Sequence, residues 1–403
     1  MHLTVLSPAD SPPRQISLIL LSAISVVSLN MHIPSLTAMS ADFGVSYADV
    51  SLSISLYMFL TAFLQIVVGP LSDRYGRRPV LLAAVTVFLA ASAGCAIAED
   101  FWVFMGFRLV QGAIATAAVI SRAVVRDSAA PQDAAVRLGE IGMAMALAPM
   151  LAPMLGGLLE SGFGWRSNFW AFALAGAALC LLSWKDVGET NASRHGSFGE
   201  QLKGYPELAA DTGFWSYTLC MAFSVGVFFV YITGIPLVAT EYFGLSPVGV
   251  SVVMGLPPVG FMLGNWIVIR MGQKVPLSLL MMTGRLITLI ALLIAALLLS
   301  LGRADALSFF PWMISIGIGN GLTIPSANAG VMSVNPKLAG TASGLSGAIT
   351  ILMGAGAAAA TGLALDAIPR PATLLSILIG FSGVALVLAY TAKGAEKRVS
   401  KTI

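Results

Sequence analysis

Apolar runs alternate with short polar breaks along almost the whole chain. Each run is close to the ~20 residues that a helix needs to cross the ~30 Å hydrocarbon core of a bilayer. The runs occupy residues 16–38, 48–70, 79–98, 101–121, 138–159, 168–184, 214–238, 248–270, 276–301, 307–330, 339–364 and 371–391. They predict twelve membrane-spanning α-helices. One polar stretch is long, from 185 to 212, and contains Asn191, Ser193, Arg194 and His195. It divides the twelve runs into two sets of six. The pattern therefore predicts an all-α integral membrane protein with an N-terminal six-helix bundle (1–185), a cytoplasmic linker (186–212) and a C-terminal six-helix bundle (213–403).

Composition excludes a soluble alternative. Of 403 residues, 57% are apolar and 10% charged, against ~25% charged in an average soluble domain. The 41 glycines suit close helix contacts in lipid. Cys95, Cys180 and Cys220 lie inside apolar runs and read as small core residues, not a disulfide framework. The polar stretch Met1 to Arg14 precedes a run too long for a signal-peptide core, so the first helix is expected to be retained.

Charge placement gives an orientation. With a cytoplasmic N-terminus, seventeen Lys and Arg residues fall on the cytoplasmic side, three (Arg166, Arg303, Arg370) fall opposite, and Arg108 and Arg285 lie within spans. Positive residues concentrate on the cytoplasmic side of membrane proteins. Both termini and the linker are expected there, in a bacterial inner membrane.

The loop after the second run reads Gly69-Pro70-Leu71-Ser72-Asp73-Arg74-Tyr75-Gly76-Arg77-Arg78, and Arg-x-Gly-x-(Arg/Lys) recurs at Arg270–Lys274, 196 residues later. Repetition at corresponding helices predicts two parallel halves with a substrate site between them. Gly76 permits a tight reversal, Pro79 suits the start of the third helix, and Asp73 is placed to accept backbone amides at a helix N-terminus. The fifth helix carries Ala144, Ala148, Ala152 and Gly156 at four-residue steps, with Pro149 and Pro153. It predicts a kinked, close contact with the matching helix of the other half.

Arg108 lies about two turns into the fourth helix, where an arginine is costly and marks function. Gln65 and Gln111 are candidate hydrogen-bond partners. Arg285 is expected at the bundle periphery, snorkelling to the surface. Three scattered histidines and the absence of a Walker phosphate loop argue against an enzyme or an ATPase; no cofactor or metal is expected.

The Gly69–Arg78 stretch resembles the loop signature of the major facilitator superfamily, G-x-L-x-D-R-x-G-R-R, at seven positions. Arg108-x-x-Gln111-Gly112 resembles its second motif, and Ala148-Pro149 through Gly156-Gly157 resembles the motif of drug/proton antiporters. Gln65, Arg122-x-x-x-Arg126-Asp127, Trp165-Arg166 and the Ala-Pro pairs resemble the Bcr/CflA branch of drug exporters. Phe214-Trp215-x-Tyr217, with Phe228-Phe229, is similar to chloramphenicol exporters. The resemblance implies a monomeric secondary transporter exporting drug-like molecules by alternating access, driven by protons and binding no nucleic acid. It implies gating by Gly69, Asp73, Arg74, Gly76, Arg77, Arg78, Arg122, Arg126 and Asp127, with Asp73 meeting the eleventh helix, and by Pro149, Pro153, Gly156 and Gly157. It gives Arg108 a role in coupling protons to substrate.

One departure stands out. Bcr/CflA exporters commonly carry an acid in the first helix, in a run like Asp-Met-Tyr-Leu-Pro; here the run is Asn30-Met31-His32-Ile33-Pro34. No carboxylate falls near mid-membrane. His32 is a candidate to titrate instead, as are Glu140 and Asp127; alternatively the protein is a facilitator or an exchanger. With Arg108 present and no buried acid, the cavity is expected to be neutral to positive, favouring neutral, zwitterionic or anionic cargo. Tyr57, Phe59, Met143, Met150, Phe223, Phe228, Tyr231, Asn320 and Asn328 are its candidate lining. Export of an endogenous metabolite or siderophore is the alternative to drug export.

Overall fold

A computed structural model describes residues 13–128, 131–190, 205–271, 274–335 and 338–402. Arg194 and His195 of the linker and Gly272 and Gln273 of the repeated loop lie outside the described residues. The long helices are α1 (Gln15–Phe43), α2 (Tyr47–Tyr75), α3 (Arg77–Ile97), α4 (Phe101–Ser128), α5 (Pro131–Phe163), α6 (Arg166–Asp186), α7 (Thr212–Tyr242), α8 (Pro247–Met271), α9 (Leu277–Ser300), α10 (Ala306–Val334), α11 (Ala339–Ala367) and α12 (Pro371–Thr402). Eleven of them are long and apolar enough to cross a membrane. The twelfth, α5, is uncharged from residue 141 to 159. A short helix, Tyr205–Ala210, precedes α7.

The helices match the predicted runs but several extend beyond them. Polar residues at the ends of α4, α5 and α12 continue the helix where no breaker intervenes. Starts are set by side-chain caps. Ser46 and Asp49 form a reciprocal capping box at α2, and Asp100, Asp211 and Ser246 accept amide bonds at the starts of α4, α7 and α8. Three spans are interrupted by 3-10 turns: α1 at Ile33–Ser35, where Pro34 sits, α4 at Gly112–Ile114 and α10 at Phe310–Met313.

In the first half α3 packs along α6, and α1 packs against α4 and α5. In the second, α7 is held by α10, α11 and α12, and α9 lies between α10 and α12. The α8–α10 contact is backbone to backbone. Gly260 and Gly264 face carbonyls of Ile314 and Ile318, while Gly317 and Gly321 face carbonyls of Pro257 and Phe261; a Cβ at any of the four would overlap them. Small residues of this kind replace hydrophobic burial as the source of tight packing in lipid.

The halves meet through α2–α11, α5–α8 and α1–α7, and the meeting points cluster at the end away from the termini. Tyr47 Oη donates to the Thr233 carbonyl at 2.5 Å, and the Ala48 amide donates to Asp366 at 3.4 Å. Gly362 packs on Ser51, and Gly157 on Ser251 and Pro247. Towards the termini, nothing stands within 4 Å of a Cβ built at Gly344 or Gly347, and Phe63 and Gln65 on α2 are exposed, so among the described residues α2 and α11 part at these positions.

Candidate functional site

Arg108 is fully buried. Its guanidinium donates to Gln111 Oε1 and, through Nη2, to the Ser28 carbonyl at 2.9 Å. The ring of Tyr57 covers it at 4.1 Å, and Tyr57 Oη pairs with Ser28 Oγ at 2.5 Å. Gln111 in turn donates to Ser92 Oγ at 2.7 Å. His32 is also fully buried, with Nδ1 3.4 Å from Arg108 Nη2 and Nε2 3.3 Å from Ser53 Oγ. A guanidinium only donates, so Nδ1 faces it with a lone pair and Nε2 carries the proton. The network fits a neutral histidine. Burial of an ion costs several kcal/mol in effective terms. Here charge-assisted hydrogen bonds and the cation–π contact offset that cost.

A second guanidinium is buried in the other half. Arg285 on α9 has no exposed surface; Nη2 donates to Asn320 Oδ1 at 2.8 Å and Nε to Thr323 Oγ1 at 3.0 Å. Its Nη1 is buried without a partner. Gly319 leaves room for its Nη2, and Gly284 lets α9 close on the α10 backbone. Among the described residues, neither Arg108 nor Arg285 has a carboxylate within ion-pair distance.

A cavity of about 180 Å³ lies in the second half, where Pro149 of α5 reaches it from the first. Pro149 of α5 forms one wall, and Val225, Phe228, Pro258, Phe261 and Asn320 are among the residues of α7, α8 and α10 that form the others. Asn320 is the one polar side chain among its described lining residues.

At the α2–α3 turn, Gly76 has φ +99°, a conformation closed to residues with a Cβ. Arg77 is buried and holds three partners: Asp73 at 2.6 Å, Asp127 at 3.2 Å and Ser72 Oγ at 2.5 Å. Glu189 completes the turn by accepting the amides of Arg77 (2.9 Å) and Arg78 (3.3 Å) at the start of α3.

A family model described as Major Facilitator Superfamily matches residues 18–359. The chain belongs to the Major Facilitator Superfamily. An uncharacterized MFS-type transporter, YdgK of Bacillus subtilis, is 29% identical over 83% of this chain and 85% of its own. A chloramphenicol resistance protein of Pseudomonas aeruginosa is 32% identical over 57% of this chain and 54% of its own, and the multidrug resistance protein MdtL of Escherichia coli is 28% identical over 57% and 58%. The drug-exporter resemblance in the motifs is thus matched by relatives with resistance names. The solved inward-facing, unoccupied structure of a bacterial homolog of the human lysosomal transporter Spinster superposes with TM-score 0.72 at 18% identity, over 96% of both chains. The peptide transporter POT in complex with sulfate gives 0.72 at 15% identity, over 98% of this chain and 97% of its own. These likenesses establish the superfamily fold.

Within that fold the expected site residues separate into groups. His32, Tyr57, Arg108 and Gln111 come together; Phe228, Asn320 and Pro149 meet at the cavity. Asn30 is buried, but its amide turns back on its own helix to the Val26 carbonyl at 2.8 Å. Gln65 is not an Arg108 partner. It lies eight residues beyond Tyr57 on α2, about 12 Å along the helix, and is exposed. Tyr231 does not line the cavity: it is fully buried, donating to the Val253 carbonyl of α8 at 2.7 Å. Phe223 stacks on Phe381 of α12 at 5.3 Å. Asn328 lies two turns past Asn320 and is half-buried. The side chains of Met143 and Met150 lie outside the described residues.

The gating candidates divide as well. A Cβ at Gly69 would meet nothing within 4 Å, and Arg74, Arg122 and Arg126 are exposed. Pro153 is buried. Gly156, at the end of the small-residue stripe, packs on the Met31 carbonyl of α1 in its own half; its neighbour Gly157 meets α8 of the other half. The end of α5 thus touches both α1 of its own half and α8 of the other. Asp73 pairs with Arg77, and the amides at the start of α3 are capped by Glu189. Arg285 is a core residue and not a snorkelling one, because α10 supplies Asn320, Thr323 and Gly319 to receive it. Ser35 of α1 donates to Glu160 of α5 at 2.7 Å, so a carboxylate does reach the first helix, from another element. Arg285, Glu189 and Glu160 were the functional candidates that motif reading passed over.

Proposed function

We propose that this chain exports small amphiphilic molecules, neutral, zwitterionic or anionic, by alternating access between its two six-helix halves. The observation that carries the reading is the apolar cavity between Pro149 of the first half and the α7, α8 and α10 walls of the second, in a molecule whose α2 and α11 part towards the termini. Two buried guanidiniums without described counter-ions disfavour cationic cargo by simple repulsion in a low-dielectric interior. The resistance names of two relatives support drug-like cargo. The seventeen-to-three Lys/Arg bias supports termini and linker in the cytoplasm of a bacterial inner membrane. On that orientation α2 and α11 part on the inward side.

In this reading the chain works as a monomer, and coupling to protons runs through the Arg108–His32 pair. A second reading is favoured by Asn30, which cannot exchange a proton at the position where the exporter branch it resembles commonly carries an acid: facilitated diffusion or exchange, including export of a metabolite. Purified protein in liposomes distinguishes them. Chloramphenicol accumulation that rises with an imposed pH gradient supports the proton-driven exporter; equal flux with and without the gradient supports the second reading; no flux of chloramphenicol defeats the drug-export reading.

A further inference from the structure

Arg285 and Asn320 form a unit whose purpose the fold does not require. A fully buried guanidinium with an unpartnered Nη1 sits directly behind the one polar side chain of the described cavity wall. Because a guanidinium has donors alone, the atom of Asn320 that it binds at 2.8 Å is the oxygen. The amide nitrogen is thereby turned the other way, and among the described residues it has no protein acceptor. A cation on the oxygen also draws electron density from the amide and strengthens its N–H groups as donors. Everything around this donor is apolar: Val225, Phe228, Pro258 and Phe261 offer no competing acceptor side chain. Thr323 fixes Nε at 3.0 Å and prevents the guanidinium from swinging away.

We propose that Asn320 donates its amide hydrogens to an acceptor oxygen of the cargo and that Arg285 is the positioning residue that orients and polarises it. The assignment rests on the exporter reading and sharpens its substrate class. The cavity selects apolar, aromatic-bearing molecules with a carbonyl, nitro or carboxylate group, and it rejects cations. Binding sites of this kind join an apolar wall to a few fixed polar groups that set orientation. A carboxylate gains most, since it also meets the field of the Arg285 charge; a cation meets that charge with no screening acid.

Equilibrium dialysis of the purified full-length protein in lipid nanodiscs tests this with three probes: chloramphenicol, anionic 8-anilinonaphthalene-1-sulfonate and cationic tetraphenylphosphonium. Wild-type protein is expected to bind the first two and not the third. Asn320→Leu should weaken both by about tenfold or more. Asn320→Asp should weaken the anion more than chloramphenicol, because it replaces the donor with a charge of the same sign. Arg285→Met should resemble Asn320→Leu, and Arg285→Lys, which keeps the charge, should recover most of the binding; a purely structural arginine would not move the preference between probes. Unchanged affinity in Asn320→Leu, or wild-type binding of tetraphenylphosphonium as tight as that of the anion, overturns the assignment while leaving chloramphenicol export intact. Failure of wild-type protein to bind any of the three overturns the exporter reading together with it.

Discussion

Arg108 and His32 approach through Nη2 and Nδ1 at 3.4 Å, one on α4 and the other in the break of α1, and both are sealed from solvent. The contact exists only while Nδ1 is unprotonated. A proton there would set two donors against each other and force the guanidinium or the imidazole to move, which links protonation to the packing of α1 on α4.

Arg108→Ala removes hydrogen bonds to Gln111 and the Ser28 carbonyl, which as charge-assisted bonds contribute about 1.5–3 kcal/mol each. Chloramphenicol flux in liposomes should fall by about two orders of magnitude at that energy, with expression in the membrane unchanged by immunoblot. Near-normal flux would remove Arg108 from the coupling machinery.

His32→Gln keeps an acceptor for Arg108 and a donor for Ser53 but cannot titrate. It should retain downhill chloramphenicol flux and lose accumulation driven by a pH gradient. Full gradient-driven accumulation in this variant would exclude His32 as the proton carrier.

Gly76 combines φ +99° with a Cβ direction that runs into the Glu189 carboxylate. Gly76→Ala should lower stability by about 1–3 kcal/mol, the cost of a residue held in a disfavoured backbone region. Glu189→Ala frees the space but loses the amide cap, so the double variant should be less destabilised than the sum of the singles. Thermal unfolding in detergent, followed by light scattering, measures all three; strict additivity would show that the two residues do not interact.

Tyr47→Phe deletes the bond from α2 to the Thr233 carbonyl of α7 at the end away from the termini. Loss of about 1 kcal/mol there should shift the balance between the two access states by about fivefold. Spin labels at Gln65→Cys and Gly344→Cys, where α2 and α11 part, should report a shorter mean distance as the opposite end loosens. An unchanged distance distribution would mean that this bond does not bias the states.

Hydropathy made the spans legible because the bilayer imposes one length on every crossing. It could not give the rotation of each helix, since lipid tails are as apolar as a protein core and leave weak amphipathic signal. Tyr231 and Phe228 lie three residues apart on α7, yet one bonds to α8 and the other faces the cavity. Arg285 reads as peripheral because its host helix is almost uniformly apolar; Gly319 and Asn320, which receive it, lie on another helix, about 35 residues on. Arg108 was legible since motif and burial cost pointed the same way. Glu189 was hidden by its place in a polar linker, where one acid among many carries no pattern.

The anchoring of Glu189 on α3 has a mechanical corollary. The linker is pinned to the first half at that carboxylate, and Asp211 pins its far end by capping α7. Between these anchors lie residues 190–210, of which Tyr205–Ala210 are helical; the remaining stretch, 190–204, could span ~50 Å at full extension. Covalent continuity at this point therefore sets no limit on motion between the halves. On the proposed alternating-access reading, two separately expressed halves, cut between the two anchors, should find each other again through the α2–α11, α5–α8 and α1–α7 contacts and restore flux; absence of flux from the co-expressed halves would show that the linker is needed.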